Sequence, residues 1–272
     1  MSDAPEPPSP GYVPYVPPPA VELGPRLQRL PLSAPLRWLK AGWGDLRRAP
    51  AIGGFFGACF TLMGLAVLLV FRHAPLYTLA LCAGFLLLGP LLCLGLYQVS
   101  RRLERGEPPR LADALRAWRA NLRQIAIFGF VLLILEMLWG RATLVVFAVS
   151  FDGMPDFAGS LTQLLAAEHL GFMAAYLSVG AVFAGLIFAI SVIAMPMLLD
   201  RDTDAISASL ASLKLCLTQP GVMLCWGALV TLLVVLAMLP YFAGLLVIGP
   251  WLGHASWHAY RAALAPPTQT AQ

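Results

Sequence analysis

Three groups of residues are of types and spacings that could do chemistry. His254 and His258 stand four apart in GHASWHAY, so they share one face of a helix. Two imidazoles so placed can ligate one metal or a haem iron. They can equally anchor a helix end among lipid headgroups beside Trp251 and Trp257. Glu136 and Arg141 interrupt a long apolar run. Ionisable groups at that depth are costly and point to a proton or substrate site, or to a structural ion pair. Asp200, Asp202 and Asp204 imitate the start of a calcium loop. Such a loop needs Gly at its sixth position and Glu at its twelfth, where this chain has Ala205 and Ala211. The acids better suit the N-terminus of a cytoplasmic helix starting near Ala205, as caps and dipole partners.

Other chemistry is thinly represented. Glu168-His169 is an isolated pair. Cys59, Cys82, Cys93, Cys216 and Cys225 lie mostly within apolar runs and form no C-x-x-C, which reads as small hydrophobes rather than a disulfide or metal set. No phosphate-cradling glycine loop, nucleophile elbow or zinc-protease motif occurs. The expectation is a non-enzymatic protein with no cofactor, haem or metal at His254 and His258 being the alternative.

The elements that position these residues are membrane helices. The chain has 272 residues, 59% hydrophobic and 12% charged, with a mean hydropathy of +0.76, against about 25% charged in a soluble domain. Six apolar runs are near the ~20 residues a spanning helix needs: 51–71, 76–99, 125–149, 171–199, 222–239 and 241–260. With the N-terminus in the cytoplasm, 16 of the 18 basic residues fall on the inner side, leaving Arg72 and Arg141. The outer loop 150–170 has acids and no Lys or Arg. The positive-inside rule then places both termini in the cytoplasm of a multi-pass protein of the bacterial inner membrane. The net charge of +4 reads as a topology signal and as affinity for anionic headgroups. With no basic-aromatic module, nucleic acid is excluded as a partner class.

Residues 1–30 read as a Pro-rich disordered tail, 31–262 as an all-α membrane domain and 263–272 as a second tail. Three amphipathic stretches alternate with the runs. Leu36, Leu39, Trp43 and Leu46 form one stripe, Leu111, Leu115, Trp118 and Leu122 a second, and Ile206, Leu210, Leu213 and Leu217 a third. Pro90, Pro196 and Pro250 each fall in a returning run, where proline removes a backbone bond. The pattern predicts three hairpins with kinked second helices, each preceded by an interfacial helix. Gly53-x-x-x-Gly57 predicts close helix packing within the protein.

The motifs PLSAPLRWLKAGWGDLRRAP, EHLGFM, SVIAMPMLLDRDTDA and LGHASWHAYR resemble a bacterial family of predicted integral membrane proteins, domain of unknown function 2189. The resemblance runs over roughly residues 31–261 and is sharpest in the last two motifs. Some members carry a cytochrome c oxidase label. Oxidase catalytic subunits have more spans and more histidine ligands than this chain, whose histidines are His73, His169, His254 and His258. The family brings no activity with it. The reading is a membrane scaffold, assembly factor or accessory transport subunit, with a membrane-protein partner or a second copy of itself. The alternatives are a small-solute or proton-coupled transporter using Glu136, and a haem or metal protein using His254 and His258.

The orientation is testable by impermeant cysteine labelling. In a Cys-free background, Asp156→Cys should be modified from outside the cell and Arg105→Cys spared; the reverse pattern would invert the topology.

Overall fold

The computed structural model describes residues 27–73, 78–150 and 170–264, with backbone only for 78–87. Every named element among them is helical: α1 (Ala34–Arg48), α2 (Pro50–His73), α3 (Thr78–Glu104), α4 (Leu111–Leu115), a 3₁₀ turn (Ala117–Asn121), α5 (Leu122–Ser150), α6 (Leu170–Ser191), α7 (Ala194–Asp200), α8 (Ala205–Thr218), α9 (Pro220–Met238) and α10 (Leu245–Ala263). Four stretches are long and apolar enough to cross a membrane: Pro50–His73, Ala117–Ser150, Leu170–Asp200 and Pro220–Met238. Their outer faces expose large apolar residues such as Leu62, Leu69, Phe130, Leu144, Val182 and Leu224, as lipid contact requires.

The last helix holds the fold together. α10 carries His254, Ser256, His258 and Arg261, too polar a face for lipid, so protein covers it. His254, Ala255, Trp257 and Tyr260 are all buried. α1 lies along one side. Trp251 Nε1 donates to Leu39 O at 2.7 Å, Gly42 abuts the Ala255 backbone, and His258 meets Asp45 at 2.8 Å. These contacts advance along both helices in the same sense, so α1 runs beside α10 rather than flat beneath it. Its protein-facing side is Trp38, Leu39, Gly42 and Asp45, while Leu36 and Trp43 of the expected stripe face outward. Trp38 meets Trp226 of α9 edge to face at 5.5 Å.

α2 covers another side, antiparallel to α10. Gly53, Gly57 and Gly64 face Pro250, Leu246 and Phe242 in turn. The small-residue motif therefore packs within the protein, as expected. Pro250 has no N–H to bond the carbonyl four residues back, which is that of Leu246. That oxygen points at Gly57, where any Cβ would overlap it.

The α9–α10 connection turns through Tyr241 and Phe242 at positive φ (49° and 64°), a strained region for side-chain-bearing residues. Phe242 packs on Gly64, nine residues before the end of α2, so this hairpin stops about 14 Å short of it at 1.5 Å per residue. The third hairpin, expected from the runs 222–239 and 241–260, is thus the shorter one against α2.

The helices α3 and α10 continue through Pro90 and Pro250, and the helix bearing Pro196 breaks between Ser191 and Ala194. There Ser212 of α8 repairs the backbone, donating to Ala189 O at 2.7 Å and lying 3.4 Å from Ile193 N as acceptor. The stretch 110–123 is not one helix. Trp118 Nε1 takes Leu115 O at 2.9 Å, and Arg119 N bonds Arg116 O at 2.9 Å, tightening the turn. Asn121 ties it to Leu198 O and Thr203 O. α8 does form as one helix. It buries Ala205, Ala208, Ala211, Ser212 and Leu215 and turns Ile206, Leu210 and Leu217 outward.

The folded part also takes in residues assigned to the tails. Leu27 bridges Leu264, and Gln219 clamps the chain by accepting from Leu30 N at 2.7 Å and donating to Gln28 O at 2.8 Å. Residues 1–26 and 265–272 lie outside the described set.

The α2–α10 seam makes a sharp prediction. Gly57→Ala should destabilise by about 1–3 kcal/mol through overpacking. Gly54→Ala, where nothing lies within 4 Å of the added carbon, should be neutral or stabilising by up to ~1 kcal/mol. Thermal unfolding of both variants in detergent checks this; equal behaviour would refute the seam.

Candidate functional site

Two similar sets of positions come together where α3, α7 and α10 end. After Pro90, α3 presents Tyr97, Ser100, Arg101 and Glu104; after Pro250, α10 presents His254, Trp257, His258 and Arg261. Both sets are spaced i, i+3, i+4, i+7, one face of a helix. Ser100 Oγ lies 2.8 Å from His254 Nδ1. Glu104 accepts from Trp257 Nε1 at 3.1 Å and from Arg261 Nε at 3.0 Å.

Asp200, at the end of α7, joins the two. Its carboxylate accepts from Tyr260 Oη at 2.8 Å and lies 3.7 Å from Arg261. Arg101 Nε is 3.1 Å away, but that N–H is not aimed at the carboxylate, so the contact is an ion pair rather than a hydrogen bond. Arg101 donates instead to Leu199 O at 3.2 Å. Arg201 Nε donates to Tyr260 Oη at 3.2 Å. Asp200 is therefore a junction of three helices and not a helix cap. Of the three acids, Asp204 is the cap of α8, accepting from Ser207 N at 2.8 Å; this bond holds its carboxyl below the ordinary range. Asp202 is exposed.

His254 and His258 do share a face, but they are taken by different partners. His254 is fully buried against Ser100, and His258 pairs with Asp45. Among the described residues no group of three or more His, Cys, Asp or Glu is placed to hold a metal ion. The Ser100–His254 pair has the atoms of a nucleophile and its base. Both residues are buried, however, at 1% and 0% exposure, so no substrate reaches the hydroxyl. Asp45 is 5% exposed. Burial pushes its carboxyl up, but the bond to and charge of His258, with the Ser100 hydroxyl and the His254 ring, outweigh this and hold it below the usual carboxylate range.

The other sequence candidates lie apart. Glu136 of α5 is buried beside α6, and Arg141 is exposed with no acid partner among the described residues, so the expected pair does not form. Glu168 and His169 lie outside the described residues. Asp45, Ser100, Glu104 and Tyr260 escaped the sequence reading. For Ser100 and Glu104 the repeated i, i+3, i+4, i+7 polar set after Pro90 and Pro250 was the available signal; Asp45 and Tyr260 lie outside it.

Residues 78–200 match the model of a family described as Predicted integral membrane protein (DUF2189). No curated protein and no solved structure matches the chain. The match runs from α3 to Asp200 and is shorter than the resemblance over 31–261. It takes in Ser100, Arg101, Glu104, Glu136 and Asp200 and leaves α1 and α10 outside. The chain is an integral membrane protein with several apolar helices.

Asp45 carries a pH prediction. A carboxyl held low in the folded state stabilises above its unfolded value of about 3.9, and that contribution disappears as pH falls through the folded value. Asp45→Asn should therefore cost about 1.5–3 kcal/mol at pH 7, with the gap to the parent protein closing toward pH 3. Thermal melts across that range read it; a gap of constant size would mean that the charge contributes nothing.

Proposed function

We propose that this protein is a non-enzymatic membrane component, a scaffold, assembly factor or accessory transport subunit of a bacterial cytoplasmic membrane. It has three helical hairpins, α2–α3, α5–α6 and the shorter α9–α10, all entering from the cytoplasmic side, with both termini in the cytoplasm. The observation that carries this reading is the pairing of the acids within the polar junction, where His254 Nε2 is left without a partner. The acids Asp45, Glu104 and Asp200 are matched by His258, Arg261, Arg101 and Tyr260. Groups committed to one another in this way hold helices in register rather than turning over a substrate. The exposed Arg116, Arg119 and Arg123 suit anionic headgroups of the inner leaflet. Arg119 stacks over Trp118 at 5.2 Å, at the level where aromatic rings favour the interface.

The transport reading is less well supported. Apart from Glu136 and Ser191, the cavity at Glu136 is lined by Trp139, Gly180 and aliphatic or phenyl side chains. For the haem or metal reading, His254 Nε2 is buried without a partner, but His258 Nε2 is held by Asp45, and among the described residues no group of three or more His, Cys, Asp or Glu is placed to hold an ion.

Purification from native membranes followed by reconstitution tests the proposal. The expected product is colourless, copurifies with a membrane protein in fixed ratio, and leaves proton and small-solute permeability of liposomes at background. A Soret band, or a saturable flux lost in Glu136→Gln, would overturn it.

A further inference from the structure

The α5–α6 hairpin contains a feature that the polar junction does not use. Glu136 is 8% exposed, and its Oε2 is buried with no hydrogen-bond partner. A buried carboxylate with no partner is strongly unfavourable, and more so at membrane depth. Glu136 lines a cavity of about 420 Å³ between α5 and α6, within the range of small-molecule sites. The two helices run antiparallel along it. Phe147 meets Phe172 at 5.3 Å, and eight residues away on each helix Trp139 lies over Gly180, with space left even for an added carbon 3.9 Å from its indole nitrogen.

The rest of the wall defines the ligand. Trp139, Phe183 and Phe188 supply aromatic surface, whose faces attract cations. The other polar groups are the Trp139 indole N–H and Ser191, whose hydroxyl proton is already given to Ile187 O at 2.6 Å. One carboxylate and one hydroxyl fall well short of the six or more oxygens that calcium or magnesium takes. An organic cation needs only a counter-charge and an apolar enclosure. Both helices have lipid-type outer faces, α6 having no buried residue at all, so a ligand dissolved in the bilayer can approach directly.

We propose that the α5–α6 cavity binds a lipophilic organic monocation, of the quaternary ammonium, phosphonium or amphiphilic amine class, with Glu136 as its counter-ion and Trp139, Phe183 and Phe188 around its apolar body. The proposal concerns binding alone and does not depend on the scaffold reading.

The test uses the full chain in zwitterionic nanodiscs with tetraphenylphosphonium as probe. One saturable site is expected. Glu136→Gln should weaken it roughly tenfold or more, Gly180→Leu should fill the cavity and abolish it, and the neutral triphenylphosphine oxide should not compete. Equal affinity for the Gln variant, competition by the neutral compound, or non-saturable partitioning would overturn the proposal. Should the variants not fold, the parent protein still decides. A hydrophobic carbodiimide should modify Glu136, read by peptide mass, and the probe should slow that modification. Labelling unaffected by saturating probe would show that Glu136 merely carries a proton, which also overturns it.

Discussion

A helix that is too polar for lipid and yet lies among membrane helices must be wrapped by protein. α10 is that helix, and the arrangement of α1, α2, α3 and α7 follows from it. Each supplies what a different part of α10 lacks. α1 brings Asp45 to His258 and a backbone carbonyl to Trp251. α3 brings Ser100 to His254 and Glu104 to Arg261. α7 brings Asp200 to Tyr260. α2 brings glycines instead, because the upper part of α10 needs close approach rather than charge. Removing one member leaves a buried polar group on α10 without its match, and such gaps cost more than the bond itself contributes.

The prolines follow the same rule of local compensation. A carbonyl freed by proline needs a new partner or a place to sit. At Pro250 the Leu246 oxygen sits against Gly57, close enough for a weak Cα–H contact. At Pro196 the helix opens fully, and Ser212 takes both a carbonyl and an N–H from the opened turn. The two solutions explain why one helix stays continuous and the other becomes α6 and α7.

Membrane class, all-α composition and most helix positions were legible in the sequence because they depend on local hydropathy. The stripes Leu36–Trp43 and Ile206–Leu217 were legible as apolar faces. What the spacing did not disclose is that small residues such as Gly42, Ala208 and Ala211 would share the protein-facing side with Trp38, Leu39 and Leu215, while Leu36, Ile206, Leu210 and Leu217 face out. In water the large residues would turn inward; beside lipid, close packing goes to small ones. Asp45 was invisible for another reason. Its partner is 213 residues away, and no local pattern encodes a pairing at that distance. Glu136 stood out in the sequence as an ionisable group within an apolar run, but its expected partner Arg141 is exposed. Five residues along a helix is off the i, i+4 geometry, and no tertiary contact makes up the difference.

The pairing of α1 with α10 also has a meaning in time. α1 emerges from the ribosome some two hundred residues before the helix it packs against, since Leu39 and Trp251 are 212 positions apart. At ordinary synthesis rates of about 5–20 residues per second, Asp45 and the inner face of Trp38 wait roughly ten seconds or more for their partners. During that interval α2, α5 and α6, which are long and apolar enough to cross a membrane, can enter the bilayer while the centre of the bundle is still missing. Assembly is therefore completed from the C-terminal end, when α10 arrives and Gln219 closes on the segment around Gln28 and Leu30. A nascent chain stopped before α9 would hold most of the apolar helices and none of the contacts that join them to α10.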